Sequence, residues 1–197
     1  GLSLVGSEMC IRDRYIIMFI QTEATPNPNS LKFLPGKRVS NNGSFEVTKK
    51  EETDNELVRN LLSVNGVTAV FLGADFLSIN KKEEISWDDI KHIAISLIND
   101  FYSTGKEFVI ANELFGGEKE KHSEIEKQII SILESKIRPA VAKDGGDIKF
   151  KEFKDGVVKV ELQGSCSGCP SSTMTLKQGV QNLLCHYLPE VKEVVAI

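Results

Sequence analysis

The apolar and polar positions between residues 19 and 105 predict a small domain of short strands and two helices. Short apolar runs with β-rich composition alternate with turn sequences such as T-P-N-P-N, P-G and N-N-G. Proline bars a helix across the first of these turns, and glycine or asparagine favours the others. The strands predicted from this pattern are residues 19–22, 31–34, 45–48, 67–72 and 76–80, the last two forming a hairpin.

Two helices are predicted in the same part of the chain. Asp54 is placed to cap a helix that runs through Ser63, and its apolar residues recur on one face. Ser86 is placed to cap a second helix, which ends before Gly105. Both helices therefore have an apolar face to pack against a sheet.

The pattern from residue 123 onward predicts the order α-β-β-α-β. Ser123 begins a helix whose approaching end is marked by Pro139. A D-G-G-D turn then leads into a strand, and K-D-G forms a hairpin turn to the next strand. Pro170 fits the first turn of a second helix. The remaining predicted elements are strands 148–153 and 157–163, the helix to about residue 187, and a last strand at 191–196.

The chain of 197 residues is thus predicted to hold two small α/β domains of the α+β type. The segment G-G-E-K-E-K-H at residues 116–122 lacks apolar residues and is interpreted as a linker between domains 18–115 and 123–197. Residues 1–17 show no helix or strand period that continues into the neighbouring segment. They are interpreted as a non-native leader, with Met18 as the natural start.

Charge and hydropathy exclude two classes of partner. The net charge is −4, and residues 117–197 carry equal numbers of basic and acidic side chains. Neither half has the clustered, uncompensated Lys and Arg that a nucleic-acid interface needs. No apolar run approaches the roughly 20 residues needed to cross a bilayer. Nucleic acid and membrane are therefore not predicted as partners.

The candidate chemistry lies in the sequence C-S-G-C, which places Cys166 and Cys169 between a strand and a helix. The glycines at 164 and 168 give this loop the freedom to bring both sulfurs to one point. Amide groups at a helix start stabilise thiolate, the form that binds metal. The pair predicts a thiol site suited to a soft metal.

Three interpretations of the pair compete. In the first, the two cysteines are simply small residues that fill a core, although two cysteines in a glycine-containing loop fill a core poorly. A thioredoxin-like dithiol is the second, but too little chain follows the motif to complete a thioredoxin sheet. A metal or cluster site is the third. Tetrahedral zinc or a [4Fe-4S] cluster needs four ligands, so a symmetric dimer would have to supply two more.

The other candidate ligands do not complete the set within one chain. Cys185 lies on the last predicted helix and is interpreted as a small packed hydrophobe. The histidines show no spacing that pairs with the cysteines, and Cys10 belongs to the predicted leader. No nucleophile with an adjacent base and no phosphate loop is present, so no enzymatic activity is predicted.

Two longer stretches resemble a known family. I-R-P-A-V-A-K-D-G-G-D-I-K-F, G-V-V-K-V-E-L-Q-G-S-C-S-G-C-P-S-S-T-M-T-L-K-Q-G-V and L-P-E-V-K-E-V resemble the C-terminal NifU domain of Nfu-type iron-sulfur carriers. M-F-I-Q-T-E-A-T-P-N-P-N-S-L-K-F-L-P-G, continuing to G-A-D-F-L-S-I, resembles the N-terminal domain of the same proteins. The resemblance implies that Cys166 and Cys169 ligate a [4Fe-4S] cluster shared between two protomers.

The function expected from this resemblance is that of an iron-sulfur cluster carrier. It implies a homodimer joined by the cluster, an upstream scaffold that supplies it, and recipient apo-proteins that accept it. Such an exchange predicts an exposed site. A thiol-disulfide oxidoreductase and a zinc-binding interaction module are the alternatives. Bacterial cytoplasm is the expected location, with the mitochondrial matrix as the alternative.

Overall fold

The computed structural model describes residues 19–41, 43–105, 123–167 and 170–197, with only the backbone at 170–173. The predicted leader at 1–17, the predicted linker at 116–122 and Cys169 all lie outside the described residues. Within the described ranges, no helix is both long and apolar enough to traverse a bilayer. We call the described residues 19–105 the N-terminal unit and 123–197 the C-terminal unit.

The N-terminal unit is an antiparallel sheet against which two helices pack. In the described residues its strand order is β1-β2-β5-β4-β3, so the predicted hairpin β4–β5 lies at the centre. The strands are β1 (Gln21–Ala24), β2 (Ser30–Leu34), β3 (Phe45–Val47), β4 (Val67–Leu72) and β5 (Leu77–Lys81), and the helices are α1 (Glu56–Ser63) and α2 (Trp87–Ser103).

Local sequence explains how these elements begin. Ser86 caps α2 as predicted, because its hydroxyl accepts a hydrogen bond from the Asp88 N–H. The cap of α1 is Asn55, whose side chain accepts from the Val58 N–H, so the prediction of Asp54 is wrong by one residue. The first strand also starts later than predicted, since Phe19 is 84% exposed and precedes β1.

The C-terminal unit has the predicted order α-β-β-α-β. Its antiparallel hairpin β6–β7 turns at Asp155 and Gly156, which both have positive φ, as a two-residue turn matching the strand twist requires. Strand β8 then pairs in parallel with β7. The elements are α3 (Glu124–Ile132), a π-helical turn (Leu133–Ile137), α4 (Arg138–Lys143), β6 (Gly146–Lys154), β7 (Val157–Gly164), α5 (Pro170–Tyr187) and β8 (Glu193–Ala196).

The first helical segment ends at Lys143, about one turn after Pro139, which agrees with the prediction that Pro139 marks its approaching end. Ser123 caps α3 in a capping box with Glu126, and helical structure then continues to Lys143. Pro139 stands in the first turn of α4, directly after the π-helical turn, in which the Arg138 N–H donates to the Leu133 carbonyl. Proline removes one helical donor, and irregular turns are common beside it. This extension carries the chain directly to the D-G-G-D turn.

Each unit has its own apolar core. The N-terminal core joins the inner faces of α1 and α2 to one face of the sheet, and the C-terminal core lies between the three-stranded sheet and its helices. The two sheets also meet, because β7 contacts β3, β4 and β5. This contact brings the N-terminal unit to the end of β7, where the candidate thiols follow.

Candidate functional site

The described segment that contains Cys166 is residues 164–167, at the end of β7, and we call it the thiolate loop; Cys169 follows it outside the described residues. It begins at Gly164, whose φ of +70° is accessible to glycine with little strain. A Cβ at this position would lie 2.6 Å from the carbonyl oxygen of Gly145. Both observations explain why glycine stands at 164, whereas the predicted meeting of the two sulfurs involves Cys169 and stays a prediction.

Cys166 faces inward in this structure. Its residue is 5% exposed and belongs to the C-terminal core, beside Val141 and Ile148. Its sulfur lies so close to the backbone of Gly146 that a Cβ there would be 2.9 Å away. The expectation of an exposed site is therefore wrong for this sulfur. Because Cys169 is not described, the pairing of the two cysteines stays a prediction.

A cavity of about 530 Å³ opens beside Cys166. Its wall is mainly apolar and comes from the helices of the C-terminal unit and from the T-P-N-P-N turn of the N-terminal unit. Residues that line it include Pro26, Ile137, Val141, Cys166, Leu176 and Val180. Space next to the thiol is thus bounded by both units.

The D-G-G-D sequence forms the floor of the thiolate loop. Gly145 has a φ of +82°, which confirms the predicted turn, and its carbonyl accepts a hydrogen bond from the Ser165 N–H at 3.2 Å. The hydroxyl of Ser165 also donates to the Asp144 carbonyl. Gly146 already belongs to β6, and there the absence of a side chain makes room for the sulfur of Cys166.

Asp147, the last residue of this sequence, is a buried structural carboxylate. Arg138 donates to both of its oxygens at 2.8 Å, and the Ser44 hydroxyl and Ile148 N–H donate to it as well. Burial opposes ionisation, but these hydrogen bonds and the Arg138 charge outweigh it and hold the pKa of Asp147 below its ordinary value. The Asp147 carboxylate therefore binds Arg138, Ser44 and the Ile148 N–H.

The polar face of the N-terminal sheet packs on the thiolate loop and its floor. Lys32, Ser78, Phe71 and Glu46 pair in register across four strands and form one row over that face. Ser78 and Phe71 are almost completely buried, although Ser78 stands on the face of β5 opposite to Leu77 and Ile79, which pack in the helix-covered core. At the central strands β4 and β5, both faces of this sheet are therefore covered, one by helices and the other by the C-terminal unit.

Three members of this row donate to or accept from the C-terminal backbone. Lys32 donates from Nζ to the carbonyls of Ala142 and Lys143 at the end of α4, where the helix dipole favours a positive charge. The Ser78 hydroxyl donates to the Gly145 carbonyl at 2.8 Å. These contacts fix the floor of the loop against the N-terminal sheet.

Glu46 binds the loop itself, because its carboxylate accepts from the Gly164 N–H at 3.1 Å. Burial raises the pKa of Glu46 above its ordinary value, although that hydrogen bond opposes the shift. Sequence patterns did not single out Glu46, Ser78 or Lys32. For Ser78 the available signal was weak: a small polar residue on the outer face of the central strand β5. Glu46 and Lys32 are charged residues on strands and carried no distinguishing signal.

The remaining sequence candidates lie apart from this site or serve packing. Cys185 packs on the C-terminal core and donates from its sulfur to the Val191 carbonyl at 3.1 Å, which agrees with its interpretation as a packing residue. Among the described residues, no three His, Cys, Asp or Glu side chains are grouped so as to hold a metal ion. His122 is outside those residues.

Comparison with known proteins gives two family matches. Residues 129–195 match the NifU-like domain, and residues 20–105 match the N-terminal domain of the scaffold protein Nfu/NifU. The chain is 44% identical to the human NFU1 iron-sulfur cluster scaffold homolog, mitochondrial, over 90% of its own length and 71% of that protein. It is 42% identical to NifU-like protein 4, mitochondrial, of Arabidopsis thaliana, over 90% of its length and 65% of that protein.

A solved structure, that of a NifU-like protein from Saccharomyces cerevisiae, is 25% identical, with a TM-score of 0.43 over 59% of this chain and 97% of that one. The class of protein follows from the two family matches and from the identity to the human protein. The chain is a member of the Nfu family, with an Nfu N-terminal domain followed by a NifU-like domain.

Proposed function

We propose that this chain is an iron-sulfur cluster carrier that binds its cargo through Cys166 and Cys169 and passes it to apo-proteins. The observation that carries the proposal is the C-x-x-C sequence in a loop between a strand and a helix of a NifU-like domain. The human relative is named as an iron-sulfur cluster scaffold, which supports the same class of cargo. The role is that of a carrier, without catalysis of a reaction.

The proposed cargo is a [4Fe-4S] cluster shared between two copies of the chain. Such a cluster needs about four ligands, and the C-x-x-C sequence supplies two thiolates. A second copy with the same loop completes the set and makes a symmetric homodimer. We propose that residues 18–115 and 123–197 act as separate domains and that the second one carries the cluster.

Transfer is proposed to proceed by exchange of thiolate ligands at iron. A cysteine thiol of the recipient loses its proton and binds iron as thiolate, while a thiolate of this chain leaves iron and takes up a proton. No electron needs to move in this exchange. Repeated at each ligand, it releases the whole cluster to the recipient.

The partners proposed are an upstream scaffold that supplies the cluster and apo-proteins that receive it. The human and Arabidopsis relatives are named as mitochondrial, which favours the mitochondrial matrix over the bacterial cytoplasm as the site of action. The chain spans 65% of the Arabidopsis protein and 71% of the human one. The proposal therefore names only these two classes of partner.

Metal content of anaerobically purified protein tests the proposal. Iron and acid-labile sulfide should be present in equal amounts in the reduced wild-type chain and absent from Cys166→Ala and Cys169→Ala. Cys185→Ala is the matched control and should retain both. Zinc in a colourless protein would support an interaction module instead, and a reversible disulfide without metal would support an oxidoreductase.

A further inference from the structure

The T-P-N-P-N turn of the N-terminal unit reaches the thiolate loop through Asn27. This residue is 6% exposed, and its side-chain Nδ2 donates to the Ser165 carbonyl at 3.0 Å. The same nitrogen lies 3.5 Å from the Ser167 carbonyl, at the limit of a hydrogen bond. Asn27 therefore binds the backbone on both sides of Cys166.

The orientation of Asn27 is fixed within its own turn. Its Oδ1 accepts from the Asn29 N–H at 2.9 Å, which leaves Nδ2 as the atom directed at the loop. Its backbone N–H donates to the Thr25 hydroxyl at 3.2 Å. The prolines at 26 and 28 restrict the backbone on either side. The donor is thus pre-positioned before it meets the loop.

A second asparagine binds the loop one residue earlier. Asn80, on β5, donates from Nδ2 to the Gly164 carbonyl at 3.0 Å. The carbonyls of residues 164, 165 and 167 are therefore all acceptors for amide donors of the N-terminal unit. Because the held carbonyls flank Cys166, these bonds restrain the backbone that sets the direction of its sulfur.

The restrained form is one in which the sulfur of Cys166 faces the core. A cluster that two chains share lies outside the core of either, so the sulfur has to turn outward to reach it. We propose that Asn27 is a positioning residue that holds the thiolate loop in the inward form, so that breaking its contact with the loop releases the thiol. The inference rests on the proposed function only in taking Cys166 as a ligand.

Alkylation of the cluster-free, reduced, full-length chain tests this inference. Iodoacetamide labels each thiol at a rate set by its exposure and ionisation, and peptide mass spectrometry assigns the rate to each cysteine. In Asn27→Asp the bond from Asn29 is kept while the donor to the loop is lost. Labelling of Cys166 should rise by roughly fivefold or more, as expected for loss of one buried hydrogen bond.

Two controls separate release of the loop from loss of structure. Asn55→Ala removes a helix cap elsewhere in the N-terminal unit and should leave the Cys166 rate unchanged. Cys185 is the internal reference, and its rate should be the same in every variant. Asn80→Ala removes the second donor without altering the turn, so the Cys166 rate should rise there too.

An unchanged Cys166 rate in Asn27→Asp would overturn the inference, whatever the rate in Asn80→Ala. An equal rise at Cys185 would also overturn it, because the effect would then be general unfolding. The alkylation assay uses cluster-free protein, so its outcome does not depend on iron binding. Absence of iron from the wild type would refute the proposed function, but it would not change the measured labelling rates of Cys166.

Discussion

The backbone of Gly146 lies directly against the sulfur of Cys166. A Cβ built on Gly146 would stand 2.9 Å from that sulfur and 2.6 Å from the Gln163 carbonyl oxygen. The sulfur belongs to a side chain, which can shift to make room for a methyl group. The Gln163 carbonyl belongs to the backbone of the paired strand β7, which cannot shift so easily. The glycine at 146 is thus required by close packing, whereas the one at 145 is required by its positive φ.

Gly146→Ala should lower the free energy of unfolding by about 1–3 kcal/mol, because the added methyl overpacks a filled space. Urea unfolding followed by circular dichroism measures this change. Gly179→Ala is the matched control: it stands in α5 with nothing within 4 Å of its Cβ position, so it should be neutral or stabilise by up to about 1 kcal/mol. Equal effects of the two substitutions would contradict the packing argument.

Asp147→Asn should make stability less dependent on pH. The pKa of Asp147 is lower in the folded chain than in the unfolded one, so its ionised form stabilises the fold above the unfolded pKa, and that stabilisation is lost as pH falls. At neutral pH the substitution should cost about 2–3 kcal/mol, since it weakens charged hydrogen bonds from Arg138 and Ser44.

Urea unfolding at pH 7 and at pH 3 measures both effects of Asp147→Asn. The loss of stability between these two pH values should be smaller in the variant than in the wild type. Asp155→Asn is the control, because Asp155 is exposed in the β6–β7 hairpin turn. An identical pH dependence in wild type and Asp147→Asn would show that the Arg138 pair does not lower this pKa.

Cys185→Ser should retain the cluster, because the proposed ligand count closes without Cys185. The hydroxyl can make the same hydrogen bond to the Val191 carbonyl, so the cost in stability should be about 1 kcal/mol or less, from burial of a more polar group. Iron analysis and thermal unfolding measure the two outcomes. Loss of iron from a folded variant would make Cys185 a ligand and refute the two-cysteine site.

Residues 117–197 alone should fold, because the C-terminal core is built from that segment. The fragment lacks the bonds that Lys32, Ser78 and Glu46 make to it, so its melting temperature should be lower than that of the full chain. Circular dichroism under reducing conditions measures both. An unfolded fragment would mean that the proposed domain division is wrong.

Much of each unit was predictable because it depends on local chemistry. The hairpin at Asp155 and Gly156, the cap at Ser86 and the order α-β-β-α-β all depend on residues that interact with close neighbours in the sequence. The error at Asp54 arose where two local solutions compete, because Asn and Asp both cap helices.

The arrangement around the thiol was not predictable from local pattern. The inward position of Cys166 depends on the missing side chain of Gly146, twenty residues earlier in the chain. The hydrogen bond from Asn27 to Ser165 joins residues 138 positions apart. Alternation along β5 indicates one buried face, and only the meeting of the two units buries Ser78 on the other.

Native mass spectrometry of the anaerobically reconstituted chain tests the central claim most directly, since it reports protein copies and cluster mass in one species. The account predicts a dimer that carries one [4Fe-4S] cluster, with about four irons and four sulfides for two chains. The Cys166→Ala and Cys169→Ala variants should give cluster-free chains shifted toward monomer. A monomer that carries four irons, or a wild-type dimer that carries none, would contradict the account.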